Sequence, residues 1–170
     1  METEQRRLEI LETLKNRSTP IVARELATQF DVSRQVIVGD IALLRAGGEA
    51  IYSTPKGYMM RKTGSSDVIF QLVCVHTREE TLEELYTMVD CGCEVMDVIV
   101  EHPLYGTMRG DLNISSRLEA DEFFDKLNES ETVLLSTLTD GIHTHTISAK
   151  DEATRAKCLL SLREKGFLYE

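Results

Sequence analysis

A chain of 170 residues has room for one large domain or two small ones. Its 42% of hydrophobic residues is ordinary for a globular protein, and no apolar run is long enough to predict a membrane span. A net charge of −10 excludes a uniformly basic nucleic-acid binder, but the charge is unevenly placed. Residues 1–62 carry ten Lys/Arg against eight Asp/Glu, and residues 63–170 carry nine against 21. A mildly basic head on an acidic body suits DNA contact confined to the head.

The opening Met1-Glu2-Thr3-Glu4-Gln5-Arg6-Arg7 lacks the apolar core of a signal peptide, so a cytoplasmic protein is expected. The first predicted helix runs from Glu4 to Asn16, with Leu8, Leu11 and Leu14 spaced for one face. A second is expected to start at Ser18-Thr19-Pro20, with Thr19 as cap and Pro20 at the first helical position. Val22, Leu26 and Phe30 would carry its apolar stripe. After the turn at Asp31-Val32, Ser33 caps a third helix that reaches about Arg45 and turns Ile37, Ile41 and Leu44 inward. Ala50–Tyr52 and Gly57–Met60 flank Ser53-Thr54-Pro55-Lys56 and read as a two-stranded wing.

Thr63-Gly64-Ser65-Ser66 is small, polar and aperiodic, which marks a linker at 63–66. Beyond it the pattern predicts a strand over Asp67–Val75, a helix capped by Thr77 with Glu80 closing a capping box, and strands over Glu94–Val100 and Met108–Ile114. A helix over Ser116–Asn128 follows, then a hairpin of Thr132–Thr137 with Ile142–Ser148, and a last helix over Lys150–Lys165. The whole is an α+β protein. A winged helix-turn-helix domain at 1–62 precedes an α+β sensor domain at 67–170, with helices packed on a mainly antiparallel sheet. The cysteines, Cys74, Cys91, Cys93 and Cys158, form no CxxC pair. Cys91-Gly92-Cys93 reads better as a helix end than as a metal site.

In a winged helix-turn-helix the third helix enters the major groove. With Ile37 and Ile41 inward, Arg34, Gln35, Val38 and Ala42 lie nearer the outer face. Arg34 is placed for a guanine edge and Gln35 for adenine. Ser33 and the helix N-terminus suit a phosphate, Gly39 carries no side chain to hold the helix off the duplex, and Lys56 with Arg24 suits backbone contacts. Residues 4–62 resemble the winged helix-turn-helix heads of many bacterial repressors. The competing reading is a winged helix used only for protein contacts.

All four histidines, His76, His102, His143 and His145, follow the linker. In Ile142-His143-Thr144-His145-Thr146 a strand places the two imidazoles on one face, roughly 6.5–7 Å apart. His76 ends a strand just before the helix that carries Glu84, so both can approach the same strand. Three imidazoles and a carboxylate suit one divalent transition metal ion per chain, Zn, Ni, Fe or Mn, with a position left open.

Residues 68–165 resemble the three-histidine (3H) domain of niacin-responsive repressors of bacterial NAD-precursor genes. The resemblance rests on Val75-His76, His102-Pro103-Leu104-Tyr105-Gly106, Ser115-Ser116-Arg117 and Gly141-Ile142-His143-Thr144-His145-Thr146. It implies a metal held by His76, Glu84, His143 and His145, and nicotinic acid acting as co-repressor on genes of niacin uptake or NAD synthesis. His102, Tyr105 and Arg109 are the expected effector contacts, with Arg78 as an alternative to Arg109 and with His102 equally placed to hold its own loop. Operator DNA is the expected partner, and paired half-sites predict a homodimer. Two alternatives remain open: a repressor that senses the metal alone, and a metalloenzyme, which lacks HExxH and an additional general base.

Overall fold

The computed structural model describes residues 2–61, 67–130 and 132–170. The chain divides into two compact units, Met1–Gly64 and Ser65–Glu170. The linker expected at 63–66 lies outside the described residues.

The first unit holds α1 (Thr3–Lys15), α2 (Ala23–Gln29) and α3 (Arg34–Ala46), followed by an antiparallel wing of β1 (Ile51–Thr54) and β2 (Gly57–Met60). Ile10, Leu11, Leu14, Ile21, Leu26, Phe30, Ile37 and Ile41 share its core. Burying such side chains supplies the free energy that helices this short lack on their own. Leu8 is exposed, because Ile10 with Leu11 and Leu14 forms the inner face of α1. A buried ion pair ties α1 to α3: Arg6 Nε donates to Asp40 Oδ2 at 2.7 Å and Arg6 Nη2 to Asp40 Oδ1 at 3.3 Å.

The second helix begins later than Thr19-Pro20 predicts. Ile21 exchanges backbone hydrogen bonds with Tyr58 of the wing, so this stretch is extended and Val22 is the residue before the helix. Tertiary pairing with the wing outweighs the local cap signal, and Val22 stays exposed rather than in the stripe.

The second unit contains β3 (Val68–Val75), α4 (Thr81–Asp90), β4 (Glu94–His102), β5 (Gly106–Ile114), α5 (Arg117–Glu129), β6 (Ile142–Ala149) and α6 (Glu152–Glu164). Its sheet runs β3-β6-β4-β5 with every pairing antiparallel. Side chains from α4, α5 and α6 share one core with Phe70, Leu72, Val95, Ile114 and Ile147 of the sheet. The capping box at Thr77 and Glu80 forms as predicted, opening the 3-10 turn Arg78–Glu80 that leads into α4.

The predicted hairpin does not form. Leu135–Thr139 is a 3-10 turn, and β6 inserts between β3 and β4. The alternating run of β6 finds better partners in two long apolar strands than in a short Thr-rich neighbour. After α6 the chain returns along the free edge of β3, where Val75 N donates to Phe167 O at 2.9 Å and Tyr169 N to Val73 O at 2.9 Å.

Candidate functional site

The alternation of β6 turns His143, His145 and Ile147 to the buried face of the sheet. On the neighbouring strand Cys74 stands opposite His143 and Leu72 opposite His145. His76 continues the same two-residue rhythm just past the end of β3. Glu84 projects from the first turn of α4 onto this face and is 1% exposed, about as dry as an ionisable side chain becomes. The four predicted ligand residues thus meet at one buried point. His145 Nε2 lies 2.7 Å from Glu84 Oε1, His143 Nε2 lies 3.0 Å from Glu84 Oε2, and His76 Nε2 is in contact with that same oxygen.

The outer nitrogen of every ring is held by a backbone carbonyl. His76 Nδ1 donates to Thr77 O at 2.7 Å, His143 Nδ1 to Gly141 O at 2.8 Å and His145 Nδ1 to Asp97 O at 2.6 Å. A carbonyl only accepts, so each Nδ1 carries the proton and each Nε2 lone pair turns inward. In the neutral state three nitrogen acceptors and one carboxylate face one another with no donor among them. His76 Nε2 is buried, and its close neighbour is the Glu84 carboxylate. If all three rings are protonated instead, three positive charges crowd one carboxylate. A single divalent cation at the centre would satisfy all four groups at once, and imidazole nitrogen with carboxylate oxygen is a donor set for borderline divalent ions.

Burial disfavours charge on His76 and His145, but the Glu84 carboxylate outweighs it and holds both above the ordinary imidazole value of 6.5. Burial likewise pushes Glu84 up, and His145, His143 and His76 together outweigh it, holding the carboxyl well below its ordinary 4.5.

Gly141 is built into this arrangement. Its φ is +89°, and a Cβ there would meet His76 O at 2.6 Å, while its own carbonyl orients His143. Asp97 has a matching role for His145. Its backbone oxygen anchors the ring, and its buried carboxylate accepts from Thr146 N at 2.9 Å and Arg109 Nε at 2.7 Å. Cys74 also belongs here, since its sulfur and single donor atoms of Glu84 and His143 lie within 4.8 Å of one another.

A small pocket with about 30 Å³ of cavity space adjoins the cluster. The three histidines and Glu84 form one wall. Leu85, Val98, Leu112, Phe123, Leu134 and Leu135 form the apolar remainder, with Thr81 and Ser136 as added polar groups. His102, Tyr105 and Arg109 do not line this pocket. His102 Nδ1 accepts from Leu104 N at 3.1 Å and Tyr105 N at 3.2 Å, which folds the β4–β5 turn, and Tyr105 is exposed against the His102 ring. Arg109 is held by Asp97 and Asp111. Arg78 donates to Thr132 O and Leu127 O, securing the end of α5. Backbone or acidic partners thus engage His102, Arg109 and Arg78, while the Tyr105 side chain stays exposed. Cys74 was findable from its two-residue spacing to His76. Asp97, Thr81, Ser136 and Phe123 carry no local signal, because they reach the site through long-range pairing.

In the first unit Ser33 caps α3, accepting from Val36 N at 3.3 Å, and Arg34, Gln35, Gly39 and Ala42 are exposed. Val38 is instead half-buried against the head core, and Val36 takes an exposed position. A Cβ on Gly39 would meet nothing within 4 Å, so nothing in the head's own packing requires this mid-helix glycine. Lys56 is exposed at the wing tip.

Residues 69–170 match the 3H domain and residues 6–59 match an HTH domain. The chain is similar to a probable transcription repressor, NiaR, of Thermotoga maritima, with 43% identity over 162 residues that cover 95% of this chain and 91% of that one. It is also similar to the transcription repressor NadR of Bacillus subtilis, with 39% identity over 166 residues covering 96% and 92%. The chain belongs to the 3H-domain family of transcription repressors. Its HTH domain is the DNA-binding part, and its role is that of a transcription repressor rather than a metalloenzyme.

Two predictions follow the geometry. Gly141→Ala combines a strained φ with a clash against the His76 backbone, and should lower unfolding free energy in denaturant titrations by more than about 1 kcal/mol. The raised His76 and His145 stabilise the chelated protein below about pH 6.5, and that contribution is lost as pH rises through their raised values. Glu84 contributes above about pH 4.5 and fails only as pH falls through its depressed value. The melting temperature of chelated protein should therefore fall as pH rises above about 6.5, and Glu84→Gln should flatten the slope. An equal slope in both proteins would contradict this coupling.

Proposed function

We propose that this repressor reads niacin status: nicotinic acid, acting as co-repressor beside a divalent transition metal ion, raises operator affinity. One observation carries the reading. Three imidazoles are locked by backbone carbonyls with their Nε2 lone pairs turned on one buried carboxylate, an acceptor-only arrangement that a divalent cation completes. His76, Glu84, His143 and His145 would hold the ion, drawn from Zn, Ni, Fe and Mn. When bound it supplies a Lewis-acidic, electron-pair-accepting centre with room for an exogenous ligand. Ion and carboxylate together leave a net positive site, which favours an anionic effector despite the acidic body. The apolar walls beside it suit a flat aromatic ring, which the small pocket would admit by widening.

Further support comes from the likeness to relatives named as transcription repressors over nearly the full chain. Nicotinic acid combines an aromatic ring, a ring nitrogen and a carboxylate, so it meets both the apolar wall and the cationic end. His102 and Arg109 already have partners in the β4–β5 turn and in Asp97 and Asp111, so we give effector contact first to the groups that line the pocket. The effector can promote repression only by binding the operator-competent state more tightly, and a coupling of about 1–3 kcal/mol changes operator affinity roughly 5–150-fold. A cytoplasmic homodimer presenting two recognition helices to paired half-sites is the assembly this requires. Arg34 and Gln35 would read bases, with Ser33 and Lys56 on phosphates.

Operator affinity measured with and without nicotinate, in metal-loaded and chelated protein, should be high only when both are present. Equal affinity in all four conditions would reject the sensor, and a response to metal that ignores nicotinate would make this a metal-sensing repressor. Metal-loaded protein should also keep its melting temperature above about pH 6.5, since the ion replaces the ring protons. Arg34→Ala and Gln35→Ala should each weaken operator binding about tenfold. Gly39→Leu should leave the head folded, as a side chain there meets open space, yet lower operator affinity at least tenfold, about 1.4 kcal/mol or more.

A further inference from the structure

We propose that Thr81 determines effector specificity: its hydroxyl donates a hydrogen bond to the carboxylate of an aromatic acid lodged in the pocket beside the histidine cluster. The proposal rests on the effector reading above and adds a residue and a chemical selectivity to it.

Thr81 is 6% exposed, and its Oγ1 is buried with no hydrogen-bond partner among the described residues. Buried hydroxyls are nearly always paired with protein, water or ligand, so one that lines a pocket without a protein partner is free to bond a molecule held there. A helical threonine usually bonds the carbonyl four residues back, as Thr87 does with Glu83 O at 2.7 Å. For Thr81 that carbonyl is Thr77 O, which already accepts from His76 Nδ1 at 2.7 Å and from Glu80 N at 3.2 Å. Both of its lone pairs are used, and one of those donors is the bond that orients His76. The ring anchor therefore releases the Thr81 hydroxyl from its local partner.

Thr81 and Glu84 stand three positions apart, so the two project from the same face of α4, and both line the pocket. Between the hydroxyl and the remaining walls the lining is aliphatic or aromatic, with Ser136 as the other hydroxyl. A ligand whose one polar end faces the cluster thus meets Thr81 with a second polar group. A carboxylate offers only acceptors and matches a donating hydroxyl. A methyl group in the same place leaves the hydroxyl buried and unpaired, which is how a polar site rejects an apolar isostere.

The test compares wild type, Thr81→Val and Thr81→Ser, each analysed for metal content, by calorimetry with nicotinate and with 3-methylpyridine. Thr81→Val should keep full metal content and melt at or above the wild-type temperature without effector, because it removes an unpaired hydroxyl. Its nicotinate affinity should fall about tenfold or more, while Thr81→Ser stays within about threefold and 3-methylpyridine binds both wild type and Thr81→Val alike. Unchanged nicotinate affinity in Thr81→Val, an equal loss for both ligands, or loss of the metal would overturn the assignment. Wild type that holds metal but binds no nicotinate would instead sink the effector reading itself.

Discussion

Three hydrogen bonds from imidazole Nδ1 to backbone carbonyls govern the sensor unit. They are short, they come from three different segments, and each sets a tautomer. Because the carbonyls belong to Thr77, Gly141 and Asp97, the backbone itself aims the inner nitrogens at Glu84. A side-chain anchor can rotate away, whereas a carbonyl in a capped turn or a paired strand moves only with the fold. The result is a preorganised set of electron-pair donors whose mutual repulsion is relieved by protons or by a cation.

The elements around the cluster serve this aim. The capping box at Thr77 and Glu80 places one carbonyl and starts the helix that delivers Glu84. Gly141 brings the entry of β6 against His76 and supplies a second carbonyl. Asp97 supplies the third from the strand on the other side of β6, and its carboxylate accepts from Thr146 N of β6 itself. The pocket beside the cluster is walled by α4, α5, β4, β5 and the turn before β6. A molecule bound there touches nearly every layer of the unit, which suits an effector that must favour one state of the whole protein over another.

Much of this was readable in advance because it is local. The helices of the head, the wing, the capping box and the β3, β4 and β5 strands follow periodicity and turn chemistry. The shared face of His143 and His145 follows from strand geometry alone. The errors arose where distant pairing outweighed a local signal. Thr19-Pro20 has a sound cap sequence, yet Ile21 pairs with Tyr58 and delays the helix. Thr132–Thr137 has strand composition, yet β6 takes β3 and β4 as neighbours. Of the two roles open to His102, the turn shows the loop-holding one, and Arg109 is engaged by Asp97 and Asp111.

Residue order alone was enough to establish a mildly basic head, an acidic sensor and a histidine pair on one strand face, since charge segregation and two-residue alternation need no distant contact. The convergence of His76 and Glu84 on that pair was expected from their place in the sequence and from the resemblance, but the orientation of the rings and the release of Thr81 toward the pocket came from the folded chain. Each depends on which carbonyl lies within about 3 Å of which donor. That distance is set by the order of strands in a sheet and by a tail, a turn and a helix packed against it, none of which is written in any single stretch of sequence.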